Sequence, residues 1–395
     1  MVHSLEAEGA TLANSLEEPF TSFLADLEAI GVEPAKGGGE SYAIVAARSN
    51  PRWWLLPLGN RQAAAAGLDM FQPVTFSAGL AKSWSQLMAR FGPHSFVGTE
   101  RITLKGRPDV GTGFGGEATT FAYFTGTSGP HRKTAIQVMD CRGRILGYAK
   151  LSRREPVRKF IDREAEFLER IAGLGLVSAV IPEVLVKRSS ASYSLLVTDA
   201  VREERSKAAM PFGEKHLSFL RELHAATCHQ GAQGLVAGLK KDVVSIKASL
   251  APDWSQRFLH AFSALEPKAP QMLVSLAHGD FTPWNCFELD SKLYVFDWEY
   301  AALSYPTGYD QLHFQIATSR RSSLEELLDD LECDLAREWF GGQVAAARLA
   351  MLLSLVIHAV FYFRRSHDAG DQCLDFEGEQ FRGQLIDYLL ERLSK

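Results

Sequence analysis

The sequence predicts an α+β protein of two lobes, an antiparallel-sheet lobe followed by a mainly helical one, with an N-terminal accessory extension. Three observations carry the prediction. Between 96 and 152 the β-rich runs FVGTERITL, ATTFAYF, TAIQVMD and ILGYAKL are separated by glycine-containing turns, the pattern of an antiparallel sheet. A helix is predicted at about 158–172, and a further β-rich run, SYSLLVTDA, closes the sheet half. Beyond it nearly everything reads as helix except 273–300. The 395 residues exceed what one compact core usually holds. The chain therefore divides into an accessory region at 1–95, a sheet lobe at 96–199 and a helical lobe at 200–395.

Residues 1–40 read as weakly organised and end in Gly37-Gly38-Gly39. Trp53-Trp54-Leu55-Leu56, ahead of Pro57 and Gly59, reads as a strand with a turn. From Ser77 onward Leu80, Trp84, Leu87, Met88 and Phe91 recur at helical spacing until Gly92-Pro93 stops the pattern. The start, Met1 to Phe20, carries Glu6, Glu8, Glu17 and Glu18 and has neither the basic nor the apolar region of a signal peptide. Between Arg348 and Arg364 the run LAMLLSLVIHAVFYF is apolar apart from Ser354 and His358. A spanning helix needs ~20 apolar residues, so this run reads as a helix buried in a core, and no integral membrane segment is expected.

With 46% hydrophobic and 23% charged residues the composition is that of an ordinary globular protein. A formal net charge of -5 argues against sequence-independent binding to phosphate backbones, so nucleic acid is not an expected partner. The five cysteines, Cys141, Cys228, Cys286, Cys333 and Cys373, form no C-x-x-C pair. That count and spacing fit a reducing cytoplasm better than a disulfide framework or a zinc ribbon.

The chemistry concentrates in 276–300, LAHGDFTPWNCFELDSKLYVFDWEY, which places Asp280, Asn285 and Asp297 on two short loops flanked by strand-like pieces. Phosphoryl transfer needs a carboxylate to orient or deprotonate the attacking hydroxyl and two oxygen ligands for magnesium. One Asp, an Asn five residues on and a second Asp after a hairpin supply these. His278-Gly279-Asp280 followed by Asn285 resembles the H-G-D-x-x-x-x-N catalytic loop of the aminoglycoside phosphotransferase and choline kinase superfamily. Asp297-Trp298-Glu299 resembles that superfamily's metal-binding D-W-E, the counterpart of D-F-G in protein kinases. The resemblance implies a protein-kinase-like fold with a nucleotide-binding first lobe, ATP and Mg2+ as cofactors, Asp280 as catalytic base, and Asn285 and Asp297 as metal ligands.

The resemblance also says which further parts to look for. Lys150, the lone lysine of Ile145-Leu-Gly-Tyr-Ala-Lys, sits where the superfamily's phosphate-binding strand lysine belongs. On the following helix Phe160, Phe167, Leu168 and Ile171 share a face with Glu164, whereas Glu166 and Glu169 fall off it. A carboxylate on a buried face needs a cationic partner, which selects Glu164 for Lys150. Two glycine-rich loops compete for the triphosphate. Gly111-Thr-Gly113-Phe-Gly115-Gly116 satisfies G-x-G-x-x-G, but the strand after it offers no helix N-terminus, so a dinucleotide site is rejected. Gly126, Thr127, Ser128 and Gly129, in the turn running to Lys133, are favoured, with backbone amides as donors. Thr198-Asp199-Ala200 ends the last strand of the sheet lobe and is placed at the hinge facing adenine.

Several neighbours receive quieter roles. Asp310 matches a second aspartate after D-W-E and is expected to hold the catalytic loop from behind, while His278 shapes that loop. Glu299 is a secondary metal candidate, with a structural salt bridge as the equal alternative. His224, on a helix near 214–228, reads as a packed histidine with no metal-ligand partner in register. In 323–339 seven acidic residues accompany a stripe of Leu324, Leu327, Leu328, Leu331, Leu335 and Trp339, so the acids read as a solvated face and not as a trap for polycations. Gly279 stands where protein kinases carry Arg, and no A-P-E follows Asp297, which disfavours a protein acceptor. The expected activity is a small-molecule kinase acting on a hydroxyl of a sugar, amino alcohol, aminoglycoside or polysaccharide precursor. A catalytically inactive nucleotide-binding regulator and a protein kinase are the rival readings.

Overall fold

The structure, a computed structural model, describes residues 18–46, 51–70, 99–114, 119–127, 129–201, 207–208, 211–319, 323–370, 374, 376 and 378–395. The chain forms two units, Met1–Gly173 with Ile181–Arg205 and Leu174–Val180 with Ser206–Lys395. The helix expected at about 77–91 lies outside the described residues.

The first unit is built on one sheet. Its strands are β1 (Glu33–Pro34), β2 (Glu40–Ala46), β3 (Trp53–Pro57), β4 (Arg101–Lys105), β5 (Thr120–Phe124), β6 (Thr134–Met139), β7 (Ile145–Ser152), β9 (Val184–Ser189) and β10 (Ser194–Asp199). They hydrogen-bond in the order β1-β4-β2-β3-β5-β6-β7-β10-β9, every pair antiparallel. Alternation along the strands gives this sheet two apolar faces. In β6, Ile136 and Val138 share a core with Phe20, Phe23 and Leu27 of helix α1 (Phe20–Glu28), while Met139 turns to the other face against Ala63 of α2 (Arg61–Gly67). The alanines of α2 let its backbone come close: a Cβ on Gly67 would lie 2.8 Å from the Ala122 Cβ. The part of 1–95 that is described thus supplies two helices and three strands to this sheet and its cores. Helix α3 (Glu155–Ala172) packs on β7, β9 and β10 through Val157, Ile161, Ala165, Leu168 and Ile171.

Asp26 of α1 reaches into the loop between β5 and β6. Its carboxylate accepts from Arg132 at 2.5 Å and from Thr134 Oγ1 at 2.8 Å, and Arg132 also donates to the Thr125 carbonyl at 2.8 Å. Both members of this ion pair are only 3% exposed.

The second unit is mainly helical. Helices α4 (Glu214–Thr227), α5 (Gln233–Ile246), α6 (Pro252–Leu265), α7 (Tyr309–Thr318), α8 (Leu324–Trp339), α9 (Val344–Ala369) and α10 (Glu379–Ser394) surround two small sheets. One sheet runs β12 (His229–Gln230), β13 (Leu273–Ala277), β16 (Ala302–Pro306); the other runs β11 (Lys207–Ala208), β14 (Cys286–Leu289), β15 (Lys292–Val295), β8 (Ala179–Val180). The core gathers Leu352, Val356, Val360 and Phe363 of α9 with Trp254 and Phe258 of α6 and Leu328 and Leu331 of α8. At 26 residues α9 is longer than its apolar run, and it is the one described helix long and apolar enough to cross a membrane; 67% of its apolar window is buried inside this unit. On α8 one acid departs from the solvated face: Glu332 is buried and meets Arg348 at 3.0 Å and Arg392 at 3.2 Å.

Candidate active site

The second unit holds a loop that its own backbone strains into shape. β13 ends at Ala277, and the chain turns at Gly279 with φ +86°, where a Cβ would lie 2.2 Å from the Tyr300 carbonyl oxygen. Only glycine fits there. The buried Asp310 carboxylate receives the N–H groups of His278 at 2.7 Å and Gly279 at 3.0 Å. Burial pushes the Asp310 carboxyl above its ordinary pKa, and the two N–H bonds and the neighbouring histidines pull against that rise. His278 accepts the Asp280 N–H at Nδ1, 3.2 Å, and donates from Nε2 to the Phe296 carbonyl, 2.8 Å, so the Nε2–H tautomer satisfies the whole ring. Phe281, fully buried among Phe219, Phe314 and His216, anchors the far side of the loop.

Asp280 emerges from this cradle with both oxygens engaged. Oδ2 accepts from Asn285 Nδ2 at 2.9 Å and Oδ1 faces His313 Nε2 at 3.1 Å. The β14–β15 hairpin then brings the third residue round. Cys286 pairs with Val295, and the Phe296 N–H donates to the Asn285 carbonyl at 3.1 Å, so Asn285 and Asp297 sit at the same end of one hairpin. Asp297 adopts the left-handed region, φ 68° and ψ 57°, before the short turn Trp298–Tyr300. Trp298 is fully buried and packs its ring on His278 at 4.6 Å.

In the first unit, Ala149 and Leu151 of β7 face the core shared with α1, so Lys150 leaves the sheet on the side of α3. Its Nζ lies 2.6 Å from each oxygen of Glu164, which is 3% exposed. The register sets Ala135 opposite Lys150, so the 125–133 turn between β5 and β6 opens directly beside this lysine. In it Gly126 has φ +83°, where a Cβ would lie 2.2 Å from the Lys133 carbonyl oxygen. Thr127 and Gly129 are described in the same turn, and Ser128 lies outside the described residues. The other glycine loop forms a short turn at Gly111–Phe114 over Gly147, three residues back along β7; its Gly115 and Gly116 lie outside the described residues. Thr198 and Asp199 end β10, which is paired on both sides. The Asp199 and Ala200 N–H groups are already given to the Glu183 and Leu146 carbonyls.

Over residues 142–353, more than half of its length, the chain matches the phosphotransferase enzyme family, APH. The chain belongs to this family. No curated protein sequence matches the phosphotransferase. Among solved structures it is similar to a thermostable mutant of aminoglycoside phosphotransferase APH(4)-Ia in its apo form, with 15% identity, TM-score 0.48, and coverage of 72% of this chain and 97% of that one. The GDP complex of wild-type aminoglycoside 2'-phosphotransferase-IIIa is similar at 15% identity and TM-score 0.48, with coverage of 72% and 96%.

Around Asp280 the phosphotransferase places residues that the sequence reading passes over. A hollow beside Asp280 is walled by Tyr300, Tyr305, Tyr309, Phe361 and Tyr362, with His313 and His358 at its base. A signal for His313 exists. It stands three residues after Asp310 on α7, hence on the same helix face, so whatever Asp310 supports His313 must adjoin. His224, by contrast, is half-buried and packs edge-on against Trp339 at 5.2 Å.

Proposed function

We propose that the phosphotransferase moves the γ-phosphoryl group of ATP to a hydroxyl of a small molecule, with Asp280 orienting and deprotonating that hydroxyl. The observation that carries this reading is the immobilised Asp280 carboxylate, fixed by Asn285 and His313 at the edge of a hollow lined by tyrosines. A base held in one orientation serves proton transfer without reorganisation.

The residues present fit magnesium. Asn285 commits its Nδ2 to Asp280, which leaves the Oδ1 oxygen for a cation, and the Asp297 carboxylate at the same hairpin end adds a hard anionic oxygen. Bound by these two, magnesium would neutralise charge on the transferring phosphoryl group. In this reading Lys150, held by Glu164, binds the nucleotide phosphates, and the backbone amides of 126–129 cover them. Since the N–H groups of Asp199 and Ala200 are occupied, the 198–200 segment would meet adenine through carbonyl oxygens. ATP as donor makes the cytoplasm the compartment of this reading.

The test is magnesium-dependent ADP release with pools of hydroxyl compounds and with a generic protein acceptor. Asp297→Asn is expected to abolish magnesium-supported turnover with an unchanged thermal melt. Asp280→Asn is expected to keep nucleotide binding and to lose turnover by a factor on the order of 10² or more. Near-wild-type turnover of the Asp297 variant at saturating magnesium would remove that residue from the site.

A further inference from the structure

We infer that Asp26, on helix α1 of the accessory region, is a positioning residue of the nucleotide site: it fixes the base of the turn between β5 and β6 and the end of the strand that carries Lys150. The inference rests on the preceding reading of that turn and of Lys150 as the phosphate-binding parts. Asp26 lies in the 1–95 stretch, to which the sequence by itself gives no role in the chemistry.

One carboxylate gathers two segments that the nucleotide would meet. Asp26 Oδ2 accepts from Arg132 Nη2 at 2.5 Å and from Thr134 Oγ1 at 2.8 Å, at the far end of the turn. Its Oδ1 accepts the Arg153 N–H at 3.1 Å, three residues beyond Lys150. Arg132 carries the hold across the mouth of the turn, because its Nη1 donates to the Thr125 carbonyl at 2.8 Å; one planar guanidinium thus ties both ends together. Gly126 sits directly on that side chain, where a Cβ would lie 3.0 Å from Arg132 Cγ. The accessory region grips Thr125 a second time through Trp53 of β3. The Thr125 N–H reaches the Trp53 carbonyl at 3.1 Å, and the Trp53 N–H reaches Thr125 Oγ1 at 3.1 Å.

Stability alone does not call for charge at this place. Helix α1 is already anchored by Phe20, Phe23, Leu24 and Leu27, all buried in the apolar core on one face of the sheet. An ion pair taken out of water, as this one is, stabilises a fold little more than apolar side chains of the same volume. What the carboxylate and the guanidinium fork add is direction, since each charge-assisted bond fixes an angle as well as a distance. Backbone amides cover phosphates only while the turn that bears them keeps one shape. A turn that holds its binding shape for about a tenth of the time binds about tenfold more weakly.

The experiment uses the full chain with magnesium-ATP. Affinity is read by calorimetry, thermal unfolding is followed in parallel, and amide hydrogen exchange is measured over 125–134. The main variant is the apolar pair Asp26→Leu with Arg132→Met, which is expected to melt near the wild type because a buried ion pair exchanges for apolar residues at little cost. It is nevertheless expected to bind magnesium-ATP about tenfold more weakly and to exchange faster over 125–134. Thr134→Val removes a hydroxyl held by Asp26 without stranding a charge, and is expected to weaken binding about threefold, in the same direction. An apolar pair with wild-type melting and wild-type affinity overturns the inference, since the ion pair then serves the fold alone. Should that pair not fold, Thr134→Val decides, and unchanged affinity and exchange in it overturn the inference. In the wild type magnesium-ATP is expected to slow exchange over 125–134. Absent binding, or binding without that protection, removes the reading of the turn itself and this inference with it, whereas protection together with unaltered affinity in the variants removes this inference alone.

Discussion

Replacing Asp310 by Asn is a small change with a calculable effect. The carboxylate is 4% exposed and accepts two backbone N–H groups, from His278 at 2.7 Å and from Gly279 at 3.0 Å. Hydrogen bonds to a charged group contribute ~1.5–3 kcal/mol each. An asparagine retains one acceptor oxygen and turns its NH₂ toward the other N–H, so one bond is lost and a donor faces a donor. Relief from burying a charge, which burial registers as a raised Asp310 pKa, offsets part of this. The net expectation is about 2 kcal/mol of stability, a sizeable share of the ~5–15 kcal/mol that holds a typical domain. The freed loop carries Asp280, and a displacement near 1 Å at a reacting group costs about 10²-fold in rate. Denaturant unfolding followed by tryptophan emission reads the first effect, with Trp298 packed against the loop as an internal reporter. Magnesium-dependent ADP release reads the second. A midpoint and a turnover rate both indistinguishable from wild type would refute the idea that this carboxylate sets the loop.

Three further outcomes follow from the geometry. Lys150→Ala is expected to weaken ATP binding and slow turnover, Glu164→Ala to do so more mildly, and the double variant to be little worse than Lys150→Ala, because groups acting as a unit are not additive; additive losses in a double-mutant cycle would separate the pair. His358 has a pKa depressed below the ordinary 6.5 first by burial, so the folded state stays unprotonated while the unfolded chain takes up a proton. Its stabilising contribution is present above that value and falls as pH drops, by about 1.4 kcal/mol per pH unit. Unfolding free energies measured at about pH 6.5 and about pH 5.5 should therefore differ less in His358→Leu than in wild type, and equal slopes would contradict the assignment. Asp26→Asn strands the buried Arg132 and is expected to cost about 3–5 kcal/mol, so a shift in unfolding free energy below about 1 kcal/mol would show that the pair is not desolvated.

Local periodicity explains what was readable. TAIQVMD alternates and is a strand; Phe160 to Ile171 recurs at helical spacing and belongs to Glu155–Ala172. Glu164 stood out as a charge on an apolar stripe, and Lys150 as a lone cation in a strand, so each was visible before any contact was known. Elements whose signal is short escaped. Phe20, Phe23, Leu24 and Leu27 repeat helically over only 9 residues, and 1–40 reads as loose without the sheet that α1 covers. Ala302–Pro306 contains Ser304 and Pro306 and is a strand because β13 lies beside it, not because its residues favour extension. The tyrosine wall and His358 come from separate helices, strands and loops, and nothing local announces that Tyr300, Tyr309 and Tyr362 converge. Glu332 likewise looks like one of several solvated acids until Arg348 and Arg392 are found against it.

In the proposed reading Asp297 is under two demands at once, metal binding on its side chain and a left-handed turn on its backbone. With φ 68° and ψ 57° it occupies a region where residues other than Gly, Asn and Asp cost ~1–2 kcal/mol. The list of tolerable replacements at this position is therefore very short. Asparagine keeps the turn and gives up the negative charge; glycine keeps the turn and gives up the side chain. Alanine disturbs the hairpin that also carries Asn285, so a dead alanine variant would not tell ligand loss from a bent backbone. Under the proposed role of Asp297 as a metal ligand, a descendant that lost that role while keeping its shape would be expected to carry Asn or Gly at this position.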